Sequence, residues 1–134
     1  MATFIQEEAR IVIHFSLSKC LFNFCADGEY RSLFETNSSG GKLSRENRVV
    51  WESYLFGELY EKAEDGERVK YGSLNLSNDR MGNRLCEGYG SSYMVLRDSV
   101  RSRCTVAHDR KYARGEVVSS LRYCYAVLSR FHNK

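Results

Sequence analysis

The sequence contains no proline among its 134 residues. At average usage about six or seven would be expected, so the turns must rely on glycine, asparagine, aspartate and serine. Long apolar runs are also missing, since stretches such as 11–13 fall far short of the roughly 20 residues that a membrane-spanning helix needs. The first residues carry Glu7 and Glu8 and no basic patch before an apolar stretch, which is not the pattern of a signal peptide. We therefore expect a cytoplasmic protein without a membrane partner.

Metal ligands and strong charge are scarce as well. The five cysteines include no C-x-x-C pair and the three histidines lie far apart, so we expect reduced thiols and no metal site. The net charge is only +3, with 20 basic residues against 17 acidic ones. A weak basic patch is interpreted as a solvated surface rather than a nucleic-acid interface. Its residues are Arg97, Arg101, Arg103, Arg110, Lys111 and Arg114.

What is present fits one folded domain of the α+β class over residues 1–134. Hydrophobic residues make up 43% and charged residues 28%, both near globular averages. The patterns predict strands over 10–15, 69–76, 91–96 and 103–107, and helices over 19–25, 45–63 and 117–131. The middle helix is assigned an apolar stripe, with Gly57 tolerated through close packing. That stripe comprises Val50, Trp51, Tyr54, Leu55 and Leu59.

His14 is the first candidate for a functional residue. It ends the β-branched run at 11–13, and ligands in open sheets collect at the carboxyl edge of the strands. An imidazole at that edge can hydrogen-bond a ribose hydroxyl or carry a proton. A purely structural histidine is the simpler interpretation.

A second group lies at 30–41, where Tyr30, Arg31 and Glu35 precede a polar loop with two glycines. Arg31 offers a planar fork suited to a diphosphate, and the backbone N–H groups of the loop could approach the same anion. Glu35 could pair with Arg31 or face a substrate. The alternative is a surface ion pair beside the loop.

The third group follows the predicted strand at 69–76. Tyr71, Ser73 and Asn75 alternate onto one face, which would suit a nicotinamide and its ribose. Gly72 in the strand interior indicates close approach of a ligand or of another backbone segment. The alternative is an edge strand with one solvated face. Neither a Rossmann fingerprint nor a Walker A motif occurs in the sequence.

Taken in order, five segments resemble a bacterial domain-of-unknown-function family that includes ADP-ribosyltransferase effectors acting on ubiquitin threonines, the CteC-like group. The segments are 11–15 (IVIHF), 30–36 (YRSLFET), 51–57 (with WE and LFG), 70–76 (KYGSLNL) and 90–97 (GSSYMVLR). They span about residues 10 to 107. The resemblance implies a split, mixed or antiparallel sheet with flanking helices, and NAD bound as a substrate in the cleft. It also implies a protein substrate such as ubiquitin, and therefore a cytoplasmic protein or an effector secreted into a host cytoplasm.

The resemblance also implies roles for residues. His14, Tyr30, Arg31, Ser73 and Asn75 become candidates for NAD binding, and Glu35 and Tyr71 become candidates for catalysis. Two departures from the family pattern bear on these roles. The family continues the first strand with a His-Pro-Asp segment where residues 16–18 read SLS, and it carries its catalytic glutamate on a strand after 131. We therefore expect an incomplete domain, or a relative that binds without catalysing.

Overall fold

The fold was analysed in a computed structural model that describes residues 1–37, 44–107 and 118–129. Its α-helices are α1 (Ala2–Glu7), α2 (Leu17–Asp27), α3 (Leu33–Thr36), α4 (Arg45–Phe56) and α5 (Tyr125–Leu128). Its strands are β1 (Arg10–Phe15), β2 (Ser73–Asn75), β3 (Ser92–Val95), β4 (Thr105–Ala107) and β5 (Val118–Ser120). Short 3₁₀ helices cover Gly57–Tyr60, Asp65–Glu67, Arg84–Tyr89, Asp98–Arg103 and Leu121–Tyr123.

The central strand is β1, which the sequence predicts with the same bounds. It pairs antiparallel with β2 on one side and β3 on the other, so the sheet order is β2-β1-β3. Residues 11–14 of β1 are all buried, as expected for a strand covered on both faces. In this register Val12 lies opposite Ser73 and Val95, and His14 lies opposite Tyr93.

A second sheet is formed by β4 and β5, which are also antiparallel. Beside it lies a small core of Ile5, Ile11, Leu121 and Cys124, each at most 9% exposed. Burial of these apolar side chains is the main favourable term for this part of the fold. The α+β class is therefore confirmed, since the described residues form two small antiparallel sheets and several short helices. No described helix has the length and apolar character needed to cross a membrane.

The caps of two helices follow their sequence signals. Ser16 is the N-cap of α2 and Gly28, with φ of 67°, ends it in the left-handed conformation that favours glycine. Ser44 caps α4 by accepting the backbone N–H of Asn47. The helix α2 begins two residues before the helix predicted over 19–25 and ends two residues after it.

The length and the apolar stripe predicted for α4 are wrong. The helix ends at Phe56 because Gly57 takes φ of 61° and ψ of −134°, and a Cβ there would meet nothing within 4 Å. Backbone conformation rather than close packing therefore requires this glycine. Val50 and Leu59 of the stripe are 43% and 70% exposed, while the buried residues of α4 are the charged Arg48 and Glu52.

Two further predictions need correction. The strand predicted over 69–76 is limited to Ser73–Asn75. Before it, the Lys70 side chain donates to the Tyr30 carbonyl and the Tyr71 hydroxyl donates to the Glu52 carboxylate. Gly72 lies against β1, where a Cβ would come within 3.0 Å of the Val12 carbonyl oxygen, so the expected close approach is confirmed. In the predicted final helix, residues 118–120 form β5 instead and α5 has four residues; positions 117, 130 and 131 lie outside the described residues.

Gly90 provides a test of this packing. Its φ is 145°, and a Cβ at this position would overlap the Phe15 carbonyl group and the Ser16 nitrogen. We expect Gly90→Ala to lower the free energy of unfolding by more than about 3 kcal/mol, because strain and overlap act together. Gly28→Ala is the matched control, since Gly28 also has positive φ but has nothing within 4 Å of its Cβ position. It should cost about 1–2 kcal/mol. Urea denaturation of both variants measures the difference, and equal losses would contradict the assigned close approach.

Candidate functional site

An ion pair is buried between α4 and the segment that precedes β2. Arg68 Nη1 lies 2.6 Å from Glu52 Oε2, and the two side chains are only 10% and 2% exposed. Arg68 also donates from Nη2 to the Tyr60 carbonyl at 2.8 Å, while its buried Nε meets no acceptor among the described residues. Removing two charges from water is costly, so this pair persists only because the geometry and the added hydrogen bond compensate.

Tyr71 and Arg48 complete this group. The Tyr71 hydroxyl donates to Glu52 Oε1 at 3.2 Å. The Arg48 guanidinium stacks on two rings, 3.9 Å from the Tyr71 centroid and 5.1 Å from that of Trp51. We call Arg48, Glu52, Arg68 and Tyr71 the buried charge cluster. Burial, followed by the charge of Glu52, raises the pKa of Tyr71 well above its ordinary value, and Arg48 opposes that rise.

The local sequence explains why these groups meet. Arg48 and Glu52 are four residues apart on α4, so they project from the same face of the helix. Arg68 and Tyr71 follow the 3₁₀ helix Asp65–Glu67, which is held by a capping box between Glu64 and Glu67. This turn brings Arg68 and Tyr71 against α4.

Phe34 packs beside the cluster and is 2% exposed. The guanidinium carbons of Arg68 and Arg45 lie 4.4 Å and 5.1 Å from its ring centroid. Arg45 also holds Asp65 through two hydrogen bonds of 3.1 and 2.5 Å. Cation–π contacts of this kind strengthen as the groups lose water, so Phe34 links the beginning of α4 to Arg68.

Three of the residues predicted from sequence lie around this cluster: Tyr71 within it, and Tyr30 and Glu35 at its edge. Lys70 joins the latter two, because its Nζ donates to the Tyr30 carbonyl and lies 3.6 Å from Glu35 Oε2. Burial raises the pKa of the Tyr30 phenol, and Arg48 opposes the rise, so Arg48 acts electrostatically on both tyrosines.

Glu35 has a capping role in α3. Its Oε2 accepts the Ser32 backbone N–H at 2.6 Å, and its own N–H donates to Ser32 Oγ at 3.4 Å. The Ser32 backbone N–H lowers the pKa of the Glu35 carboxyl, and Lys70 lowers it further, so the group is ionised at neutral pH. This carboxylate is therefore already engaged by the protein.

His14 occupies a tight socket in the sheet. The Asn83 backbone N–H donates to Nε2 at 3.0 Å, which leaves Nδ1 to donate to the Gly90 carbonyl at 3.0 Å. A Cβ on Gly82 would lie 2.5 Å from Nε2, and the Tyr93 ring centroid lies 5.4 Å from that of His14. Both ring nitrogens are therefore used by backbone groups. A role for His14 in nucleotide binding stays a prediction.

The remaining predicted residues lie apart from the cluster. Arg31 is 43% exposed at its side chain and pairs with Asp27 at 3.1 Å and Glu29 at 3.7 Å. Asn75 is 2% exposed and closes a turn by exchanging two hydrogen bonds with the Asp79 backbone. The Ser73 hydroxyl is buried on β2 without a partner in the described part of the chain. No described contact joins Arg31 to His14.

Two modest cavities lie on the surface of the described residues, and neither is lined by a residue of the buried charge cluster. One of about 220 Å³ is lined by Leu74, Asn75, Leu76, Ser77, Asn83 and Leu85. Another of about 250 Å³ lies between α1 and the 3₁₀ helices Asp98–Arg103 and Leu121–Tyr123. Both are smaller than the sites that usually bury a drug-sized ligand. The described residues include no group of three or more His, Cys, Asp or Glu side chains that could hold a metal ion.

Sequence reasoning missed Arg48, Glu52 and Arg68. The stripe assigned to α4 contains Trp51 and Leu55, and Arg48 and Glu52 occupy neighbouring positions on the helical wheel. An oppositely charged pair spaced i, i+4 and flanked by apolar residues was the available signal. On a single sequence, that pair is more simply interpreted as a solvated one.

The Glu52–Arg68 pair leads to a stability prediction. Glu52→Ala should lower the free energy of unfolding by about 3–5 kcal/mol, because Arg68 is left buried without its partner. The double variant Glu52→Leu with Arg68→Met should recover much of that loss, since the charge no longer needs compensation. Asp65→Asn, which breaks an exposed pair with Arg45, is the control and should cost far less. Chemical denaturation measures all three, and equal effects of Glu52→Ala and Asp65→Asn would contradict the burial.

Tyr71 leads to a prediction for alkaline pH. Its pKa is higher in the folded protein than its ordinary value of 10, so folding favours the neutral phenol. The resulting stabilisation is complete below pH 10 and is lost as the pH rises from 10 toward the folded-state pKa. Urea denaturation across this range should show a steeper fall in the free energy of unfolding for the wild type than for Tyr71→Phe. Tyr125→Phe, which removes a phenol on a 60% exposed residue, should behave like the wild type; if Tyr71→Phe did so too, the assignment would fail.

Comparison with known proteins adds the family to this geometry. Residues 11–131 match the family described as protein of unknown function (DUF3626). No curated protein and no solved structure gives a significant match to the chain. The matched segment includes β1 except for Arg10, the whole buried charge cluster and the other four strands. The chain therefore belongs to the DUF3626 family of proteins of unknown function.

Proposed function

We propose that this chain binds NAD and transfers its ADP-ribose group to a protein hydroxyl, with ubiquitin as a candidate substrate. The observation that carries the proposal is the position of Tyr71. Its ring stacks under the Arg48 guanidinium and its hydroxyl contacts the Glu52 carboxylate. An aromatic face, a cation and a carboxylate are together the groups that a dinucleotide with a positively charged nicotinamide ring would use.

The reaction would replace one bond at the anomeric carbon of the nicotinamide ribose. The C–N bond to nicotinamide breaks, and the electron pair leaves with nicotinamide as a neutral molecule. A C–O bond then forms between the anomeric carbon and the hydroxyl oxygen of the acceptor protein, whose proton passes to solvent. The transition state has the character of a ribosyl cation, so negative charge near the ribose lowers the barrier.

Three of the predicted residues, Tyr71, Glu35 and Tyr30, have a place in this scheme. Tyr71 keeps its proton at neutral pH, since burial raises its pKa, so it acts as a hydrogen-bond donor and a stacking surface rather than as a base. Glu35 supplies negative charge beside Lys70, and Glu52 supplies it beside Tyr71. Tyr30 adds a second aromatic face near Arg48. The split-sheet fold of ADP-ribosyltransferases remains part of the proposal, supported by the antiparallel sheet around β1.

One observation favours a second candidate, a module that binds a nucleotide or a protein without catalysis. Both carboxylates are already engaged, Glu35 with Ser32 and Lys70, and Glu52 with Arg68 and Tyr71. A carboxylate neutralised by a cation stabilises a developing positive charge less well than a free one. The two candidates differ in turnover and agree on binding.

The test is nicotinamide release from NAD by the purified chain, measured together with NAD binding by calorimetry. We expect binding and slow release in the wild type. Tyr71→Phe should lower the release rate by about 10²-fold, because Glu52 then loses the hydroxyl that helps to position its carboxylate. The exposed Tyr125→Phe is the matched control and should leave the rate unchanged.

The outcomes separate the candidates. Binding without release would support the non-catalytic module. Release that is equal in the wild type and in Tyr71→Phe would contradict the role of Tyr71. The absence of both binding and release would overturn the transferase and the nucleotide-binding module.

A further inference from the structure

One of the cations around the cluster has no carboxylate partner among the described residues. Four cationic side chains gather here, and three of them have their own carboxylate within 4.0 Å: Arg45 with Asp65, Arg68 with Glu52, and Lys70 with Glu35. Arg48 has no carboxylate within that distance in the described part of the chain. It is nevertheless 7% exposed, the same low range as the paired residues of the cluster.

A buried guanidinium without an anion is costly. The rings of Tyr71 and Trp51 lie against the faces of the Arg48 guanidinium. Arg48 also lowers the pKa of the Tyr71 hydroxyl, and this contact uses only part of the five N–H donors of the guanidinium. Stacked rings hold the planar group in one orientation, which reduces the entropy lost when it binds a ligand. The remaining donors and the full positive charge are available to an anion.

We infer that Arg48 is an anion-binding residue that takes a diphosphate group, with the rings of Tyr71 and Trp51 fixing its guanidinium. A planar fork matches the paired oxygens of a phosphate, which a single ammonium does not. The assignment of this diphosphate to NAD rests on the proposed function, whereas the anion site itself does not.

This inference differs from the sequence-based prediction, which gave the diphosphate to Arg31. Arg31 already has two carboxylates within 4.0 Å and a half-exposed side chain. Its charge is therefore balanced by neighbours and screened by water. Arg48 has no carboxylate within 4.0 Å among the described residues and little contact with water, so an anion that binds it gains more electrostatic stabilisation.

The experiment titrates the full chain with inorganic pyrophosphate and, separately, with NAD by calorimetry. Arg48→Met keeps the length of the side chain and should weaken pyrophosphate binding by about 10- to 100-fold, the usual effect of losing a charge-assisted hydrogen bond. Arg48→Lys keeps the charge without the fork and should give a smaller loss. It also keeps the test valid where Arg48→Met does not fold. Arg31→Ala and the exposed Arg10→Gln should both bind as the wild type does.

The outcomes distinguish this inference from the proposed function. Pyrophosphate binding that depends on Arg48, without any NAD binding, supports the anion site and overturns the proposed function. NAD binding that is unchanged in both Arg48 variants overturns the inference and leaves the function standing. Loss of binding in Arg31→Ala with retention in Arg48→Lys returns the diphosphate to Arg31, and a wild type that binds neither ligand contradicts both.

Discussion

The buried ion pair between Glu52 and Arg68 is the interaction on which the candidate site depends. With only 2% and 10% of these side chains exposed, neither charge has enough water around it to stand alone. The surrounding contacts compensate these two buried charges. The Tyr71 hydroxyl donates to Glu52, the Tyr60 carbonyl accepts from Arg68, and the Phe34 ring lies against the Arg68 guanidinium. The segment before β2 therefore leaves the sheet early and turns toward α4.

The same arrangement separates two regions with different roles. Around β1, His14 uses both ring nitrogens on backbone groups and Asn75 closes a turn, and the Ser73 hydroxyl alone of these three has no partner among the described residues. Around α4, aromatic rings and charges are concentrated, and one cation lacks a carboxylate partner among the described residues. Ligand chemistry is favoured where polar groups retain unused capacity, which places the candidate site at α4 rather than at the edge of the sheet.

Much of the scaffold could be predicted from the sequence, because its signals are local. The run IVI predicts β1. Ser16 and Gly28 lie at the two ends of α2 and are residue types that typically end helices. Tyr71 and Glu35 can be proposed as site residues from their neighbours in the chain, and their roles stay predictions. Arg48, Glu52 and Arg68 could not be found that way, because charged residues spaced four apart on a helix usually face water. Their burial depends on a segment that follows α4 in the chain, and a single sequence contains no record of that contact. For the same reason Val50 and Leu59 were assigned to an apolar stripe and are exposed.

A structure determined with NAD bound would test the central claim most directly. The account predicts that the diphosphate oxygens lie within hydrogen-bonding distance of the Arg48 guanidinium and that the nicotinamide ring lies beside Tyr71. NAD bound beside Arg31 and away from α4, or no density for NAD at saturating concentration, would contradict it.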